Sequence, residues 1–128
     1  MTHYDVLVDI KDKLSAITDI KSLKIGLESG IGSKDCPFIR VIANSNTQEF
    51  RVDTLNVSIV YGFDVKNKDL ESMYEKMYLL EKTIRETLEY NLTLGDCFYV
   101  STVTDEDKLS NLKTAMSTFR VDDIRLMQ

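Results

Sequence analysis

The chain has no tryptophan, one histidine, one proline and two cysteines among its 128 residues. Each shortage removes a class of explanation. His3 stands alone at a terminus expected to fray, so no histidine pair offers itself for metal ligation or proton transfer. Cys36 and Cys97 are far apart and fit no zinc spacing, which makes two buried, reduced thiols the expectation. No apolar run approaches the ~20 residues that would span a bilayer, so no membrane partner is expected. The segment Met1–Ile10 does not read as a signal peptide, because Asp5 and Asp9 interrupt it and no cationic stretch precedes them.

What is present is ordinary globular material: 43% hydrophobic and 29% charged residues, in proportions typical of a water-exposed fold with one core. The length suffices to bury a core without disulfide or metal, and residues 1–128 are expected to form one domain. Sixteen basic and twenty-one acidic residues leave a net charge of −5. That balance argues against a dedicated nucleic-acid binder, although not against a surface along which nucleic acid merely passes.

The hydrophobic periodicity alternates between two kinds of element. A helix is predicted over Thr2–Ala16, where Val6, Leu7, Ile10, Leu14 and Ile17 form one stripe. Thr2 followed by Asp5 resembles a capping box. A first strand spans Leu23–Leu27, and Ser29–Lys34 reads as a polar turn. Pro37 leads a second strand, Phe38–Ala43, apolar on both faces except at Arg40. The stretch Asn44–Asp53, which carries Asn, Ser, Thr and Gln, reads as a long polar loop or an extended hairpin tip. In Leu55–Phe63, Leu55, Val57, Ile59, Tyr61 and Phe63 alternate with Asn56, Ser58, Val60 and Gly62, a half-buried antiparallel strand.

A long helix follows over Leu70–Tyr90, with Asn67 or Asp69 as its N-cap. Leu70, Met73, Met77, Leu80, Ile84 and Leu88 make the buried stripe, Tyr74 and Tyr78 widen it, and Asn91 and Gly95 end it. Glu81 with Arg85 and Lys82 with Glu86 are placed for ion pairs one turn apart. A fourth strand, Cys97–Val103, sets Phe98, Val100 and Thr102 against Cys97, Tyr99 and Val103. After the acidic turn Asp105–Ser110, a fifth strand runs Lys113–Val121 with Ala115, Ser117, Phe119 and Val121 on one face. The expected fold is α+β, in the order α-β-β-β-α-β-β, with a mostly antiparallel sheet of four to five strands and helices packed on it.

Patterns that suggest chemistry dissolve on inspection. Gly30-Ile31-Gly32-Ser33-Lys34 has its lysine after the serine and leads into a strand, whereas a phosphate loop needs Gly-Lys-Ser/Thr opening a helix. Asp105, Glu106 and Asp107 lack the glycine and distal glutamate of a calcium loop, and Asp122 and Asp123 are no better placed. Nothing in the spacing brings Glu28, Asp35 or Asp64 to His3 as a general base, and no serine or threonine sits in a nucleophile elbow. The tyrosines and methionines of the long helix fall at core spacing rather than lining a groove. No cofactor, metal or catalytic residue is expected, and the chain is not expected to be an enzyme.

The order of elements resembles the neck proteins of tailed bacteriophages, in particular the tail terminator, or tail completion, family. Pro37-Phe38-Ile39-Arg40-Val41 is similar to that family's proline-led second strand. The alternating Leu55–Phe63 feeds the long helix as it does there, and Ser117-Thr118-Phe119-Arg120-Val121 is similar to the family's last strand. The resemblance covers about Tyr4 to Val121 and implies a structural virion protein at the tail neck. It implies a ring of this chain, a hexamer, that ends tail-tube growth and contacts the tube protein and a head–tail connector or stopper. DNA would pass through such a ring without specific binding, which a net negative charge suits. Residues in the two polar segments are then expected at subunit or partner contacts: Glu28, Ile31 and Lys34 in one, Asn44, Asn46, Gln48 and Arg51 in the other. The alternatives are another neck component of similar fold, or a small binding or immunity-type module unconnected with phage.

Overall fold

The computed structural model describes residues 2–49, 52–65, 69–105 and 111–125. Helix α1 (His3–Leu14) opens the chain, then strand β1 (Ser22–Ile25), a single 3-10 turn (Ser33–Asp35), β2 (Phe38–Glu49), β3 (Val52–Asp64), helix α2 (Leu70–Leu88), β4 (Asp96–Thr104) and β5 (Leu112–Asp122). The strands form one sheet in the order β1-β2-β3-β5-β4. β1 lies parallel to β2, and every other neighbouring pair is antiparallel. This is the α+β order and the mostly antiparallel sheet that the periodicity predicts.

Both helices bury their stripes in one cluster on one face of the sheet. Val6, Leu7, Ile10 and Leu14 of α1 meet Met77, Leu80, Ile84 and Leu88 of α2 over Ile39, Val41, Leu55, Val57, Ile59, Tyr61, Phe119 and Val121. α1 begins where its cap predicts: Thr2 Oγ1 accepts from the Tyr4 N–H, and Asp5 accepts the Thr2 N–H at 2.7 Å. Asp69 caps α2 by accepting the Glu71 N–H at 3.1 Å; Asn67 lies outside the described residues. The ion pairs Glu81–Arg85 and Lys82–Glu86 form at 3.9 and 3.8 Å.

Several expectations are corrected. β1 ends at Ile25, because Gly26 turns the chain at φ +92°, a conformation that costs glycine least. Leu27 is therefore exposed rather than part of the strand. Leu70 and Tyr78 lie at the wet side of α2, 46% and 52% exposed. The residue that reverses the chain after α2 is Tyr90, at φ 57°, and its N–H is held by the Cys97 carbonyl at 3.1 Å. Asn91 serves the helix end differently, donating its side-chain amide to the Thr87 carbonyl. β2 does not stop at Ala43. It passes a bulge between Ala43 and Ser45 and stays paired with β3 as far as Glu49↔Val52, so of the two readings of the polar segment the extended hairpin is the one observed.

β4 carries the other departure. A bulge between Tyr99 and Ser101 inserts one residue, which switches the face of everything after it. Thr102 turns inward and Val103 outward, 59% exposed, so Val103 does not share the face of Cys97 and Tyr99. Of the acidic turn, only Asp105 falls among the described residues before Asn111.

Gly62 marks a close approach on the face away from the helices. A methyl group there would sit 2.6 Å from the Phe38 ring, which is itself buried. Gly62→Ala is thus expected to cost about 1–3 kcal/mol through overpacking. Ile84→Ala removes a fully buried side chain and is expected to cost about 2–5 kcal/mol. Urea unfolding checks both; a loss under about 0.5 kcal/mol, the scale of neutral surface changes, would contradict the packing.

Candidate assembly interface

The two polar segments proposed as contact surfaces have different physical characters. The first, between β1 and β2, is fastened to the sheet. Glu28 reaches Arg40 of β2, accepting from Nε at 2.6 Å and from Nη2 at 3.2 Å. Nη1 of Arg40 donates to the carbonyls of Ser22 and Ile39, both at 3.0 Å, and the guanidinium lies 5.4 Å from the Phe38 ring centroid. Arg40 is completely buried while the Glu28 side chain stays 41% exposed. The Arg40 hydrogen bonds hold the Glu28 carboxyl at a pKa of about 2, far below the usual range. Ile31 is half-buried and Lys34 exposed. Glu28 is therefore first an internal clasp, and whatever this segment contacts, it presents Lys34 and the outer side of Glu28.

The second segment projects. β5 covers β3 only from Leu55 onward, so among the described residues the hairpin beyond that level has no third strand. β1 covers β2 only over Phe38–Val41, its cover ending where the Gly26 N–H meets the Val41 carbonyl at 2.8 Å. Residues 43–48 are exposed on both faces. Asn44 donates to Ser58 Oγ at 2.6 Å, whereas Asn46 and Gln48 point into solvent with no side-chain partner among the described residues. Arg51 lies outside the described residues. The base of the arm is tied down by His3 Nε2 to Asp53 at 3.0 Å and by Thr54 Oγ1 to Asp122 at 3.0 Å. His3 is thus part of a folded first turn and not a frayed end.

Sequence reasoning missed the polar groups that the fold gathers inside. Tyr61 Oη, Ser117 Oγ, Thr102 Oγ1 and Tyr99 Oη form one chain of hydrogen bonds at 2.9, 2.8 and 2.7 Å. Burial raises the Tyr61 hydroxyl to about 12, and Arg85 stacks on the Tyr99 ring 3.8 Å from its centroid. Lys113, 2% exposed, donates to Asp105 Oδ1 at 2.7 Å and faces the Tyr74 ring at 4.3 Å. The signals in the sequence were polar residues at inward strand positions: Ser117 and Lys113 in the fifth strand, and Arg40 in the second.

A half-open apolar hollow of about 370 Å³ lies where α2 passes the open end of the β2–β3 hairpin, walled by Ile20, Pro37, Phe63, Met73, Leu79 and Leu80. Cys36 stands at its edge, half-buried, its thiol raised chiefly by burial. Cys97 is fully buried and burial raises it to about 12. The expectation of two buried thiols therefore holds for Cys97 and not for Cys36. Among the described residues no cluster of three or more His, Cys, Asp or Glu could hold a metal ion. No described helix is long and apolar enough to cross a membrane.

The sequence matches no protein-family model and no curated protein. The fold, however, is similar to that of a solved chain from the virion of a native gene transfer agent particle. The two superpose with a TM-score of 0.60 over 91% of this chain and 92% of the other, at 8% identity. At that identity the likeness is one of fold.

Two outcomes are expected in solution. Glu28 has its folded pKa depressed from about 4.5 to about 2, so its contribution is fully present above pH 4.5 and is lost as pH falls toward 2. Glu28→Gln should lower the urea midpoint at pH 7, and the gap from the unmodified chain should close across that acid window. A gap independent of pH would show that the clasp's charge is irrelevant. In thiol labelling of the native protein, Cys36 should react and Cys97 only after unfolding.

Proposed function

We propose that this chain is a structural virion protein that forms a ring at the head-proximal end of a phage-type tail. There it ends growth of the tail tube and offers a docking surface to the head. The observation that carries the reading is the near end-to-end fold likeness to a gene transfer agent virion chain. The resemblance of its element order to tail terminators supports the finer assignment. A single domain of this size, a hexameric ring, and contacts with a tail-tube protein and a head–tail connector or stopper belong to the same proposal. DNA passes through the ring without specific binding.

The physics of the role is that of a cap. Subunits stacking head to tail extend without limit unless a distinct piece ends the series. The cap must bind the last tube ring more strongly than another tube ring does, and its far face must differ from the tube's. A fastened segment and a projecting, polar arm give the chain two unlike surfaces with which to do this. Glu28, Ile31, Lys34, Asn44, Asn46, Gln48 and Arg51 are proposed for these contacts.

Deleting the gene should leave filled heads without tails, together with free tails that are often overlong. Adding the purified protein to those tails should restore joining. Negative-stain microscopy of the lysate decides: normal-length tails still attached to heads would sink the assignment. Empty or malformed capsids would place the protein at an earlier, head-assembly step.

A further inference from the structure

The five-stranded sheet is open at both ends, and its edges are treated unequally. At one end β1 is only four residues long, flanked by Lys21 and carrying Lys24, which is 59% exposed and paired with Glu28. Short length and lysine are how sheets normally refuse a further strand. Past β1, the edge of β2 reopens over residues 42–48, whose ladder partners all lie in β3. At the other end, among the described residues, β4 pairs only with β5. The Tyr90 N–H occupies the Cys97 carbonyl; among the described residues no further backbone hydrogen bond from outside the sheet reaches residues 98–104.

These two open stretches share a composition. Residues 42–48 are Ile-Ala-Asn-Ser-Asn-Thr-Gln, and residues 98–104 are Phe-Tyr-Val-Ser-Thr-Val-Thr. Neither contains a charge or a proline, in a chain where 29% of residues are charged and about four of fourteen would be expected. Each is seven residues long and each holds one bulge, at Ala43/Ser45 and at Tyr99/Ser101. Val100 and Val103, 54% and 59% exposed, stand on the β4 stretch. A sheet that guards one edge with lysine leaves these two without charge or proline, bent only by a bulge.

Resting on the ring reading above, we infer that β4 of one copy pairs with the outer half of β2 of the next copy, joining subunits by a continuous sheet. The occupant of each edge is a second copy of this chain, because the complementary edge is present on the same molecule. β2 and β5 run one way while β3 and β4 run the other. Rotation about an axis along the strands preserves direction, so β4 meets the next β2 antiparallel, the favoured arrangement in the rest of the sheet. Two different edges joined head to tail give a heterologous contact, which closes into a ring when the rotation permits. Backbone groups supply the attraction, and neutral side chains on both strands avoid like-charge repulsion.

The test blocks one edge at a time with lysine at exposed positions, Asn46→Lys on β2 and Val100→Lys on β4. Self-association is read by sedimentation of the purified protein alone, and by the number of copies bound per isolated tail. A urea midpoint matching the unmodified chain shows that each variant folds. Each variant alone should require at least roughly tenfold more protein to assemble. An equal mixture should form dimers and stop, since Asn46→Lys keeps a sound β4 and Val100→Lys a sound β2. Assembly of both variants as readily as the unmodified chain would overturn the strand-edge contact and leave the ring reading standing. Single copies of the unmodified chain in solution and on tails would overturn both. Dimers in each variant alone, with none gained on mixing, would mean a two-fold contact elsewhere and would also overturn the inference.

Discussion

Everything in this molecule hangs on the register of β3, which is hydrogen-bonded on both edges and loaded on both faces. Leu55, Val57, Ile59 and Tyr61 lie under the helices at 0–2% exposure, while Ser58 and Gly62 are buried on the other side. A slip of one residue would drive Asn56, Ser58 and Val60 beneath α2 and lift the apolar row into water. Hydrophobic burial alone tolerates slips of two. The polar pins do not: Tyr61 to Ser117 fixes β3 on β5, and Asn44 to Ser58 fixes β2 on β3. Once that register holds, Arg40 lies beside Lys24 of β1 and within reach of Glu28, and the path of the following segment is decided.

The two buried cations show what such pins are for. Arg40 is sealed on the face away from the helices beside Glu28, and Lys113 near the end of the helix-side face beside Asp105. Taking charge out of water is costly, and an ion pair in the interior often gains no more than an apolar pair of the same shape. The gain is in specificity. An apolar side chain at position 40 would let the 26–36 segment settle in many ways, whereas the guanidinium fork admits a carboxylate along few directions. A clasp of this kind gives a fixed shape to a segment with little apolar material of its own.

Much of this was legible in the chain. Both helices, their N-caps and the alternating β3 follow from periodicities that local structure cannot evade, and Arg40 stood out as the one charge in an apolar strand. The bulges were not legible, because one extra residue in a strand leaves no mark in composition. Missing the bulge at Ala43/Ser45 left the polar stretch open between a loop and an extended hairpin tip, and missing that at Tyr99/Ser101 put Val103 on the wrong face. Nor was Glu28–Arg40, since a pairing across twelve residues depends on the turn between them. Among the residues suggested for contacts, polarity picked out both the clasp and the arm without telling them apart. Only the cover above each strand does that.

An open, uncharged edge is a hazard for any protein that must also exist as a free chain, and this one bears two. Strand pairing is short-ranged, acting only when backbones meet, whereas net charge acts over a Debye length of ~8 Å at physiological salt. A net charge of −5 on each copy therefore opposes chance encounters before the strand edges can meet. The bulges add a second restriction, because a kinked and twisted edge rejects a flat strand from an unrelated chain. Under the ring reading, assembly is then slow among free copies and fast where a surface gathers them side by side. The end of a growing tube is such a surface. Timing would follow from the fold itself, with the cap closing where a tube end exists to be capped.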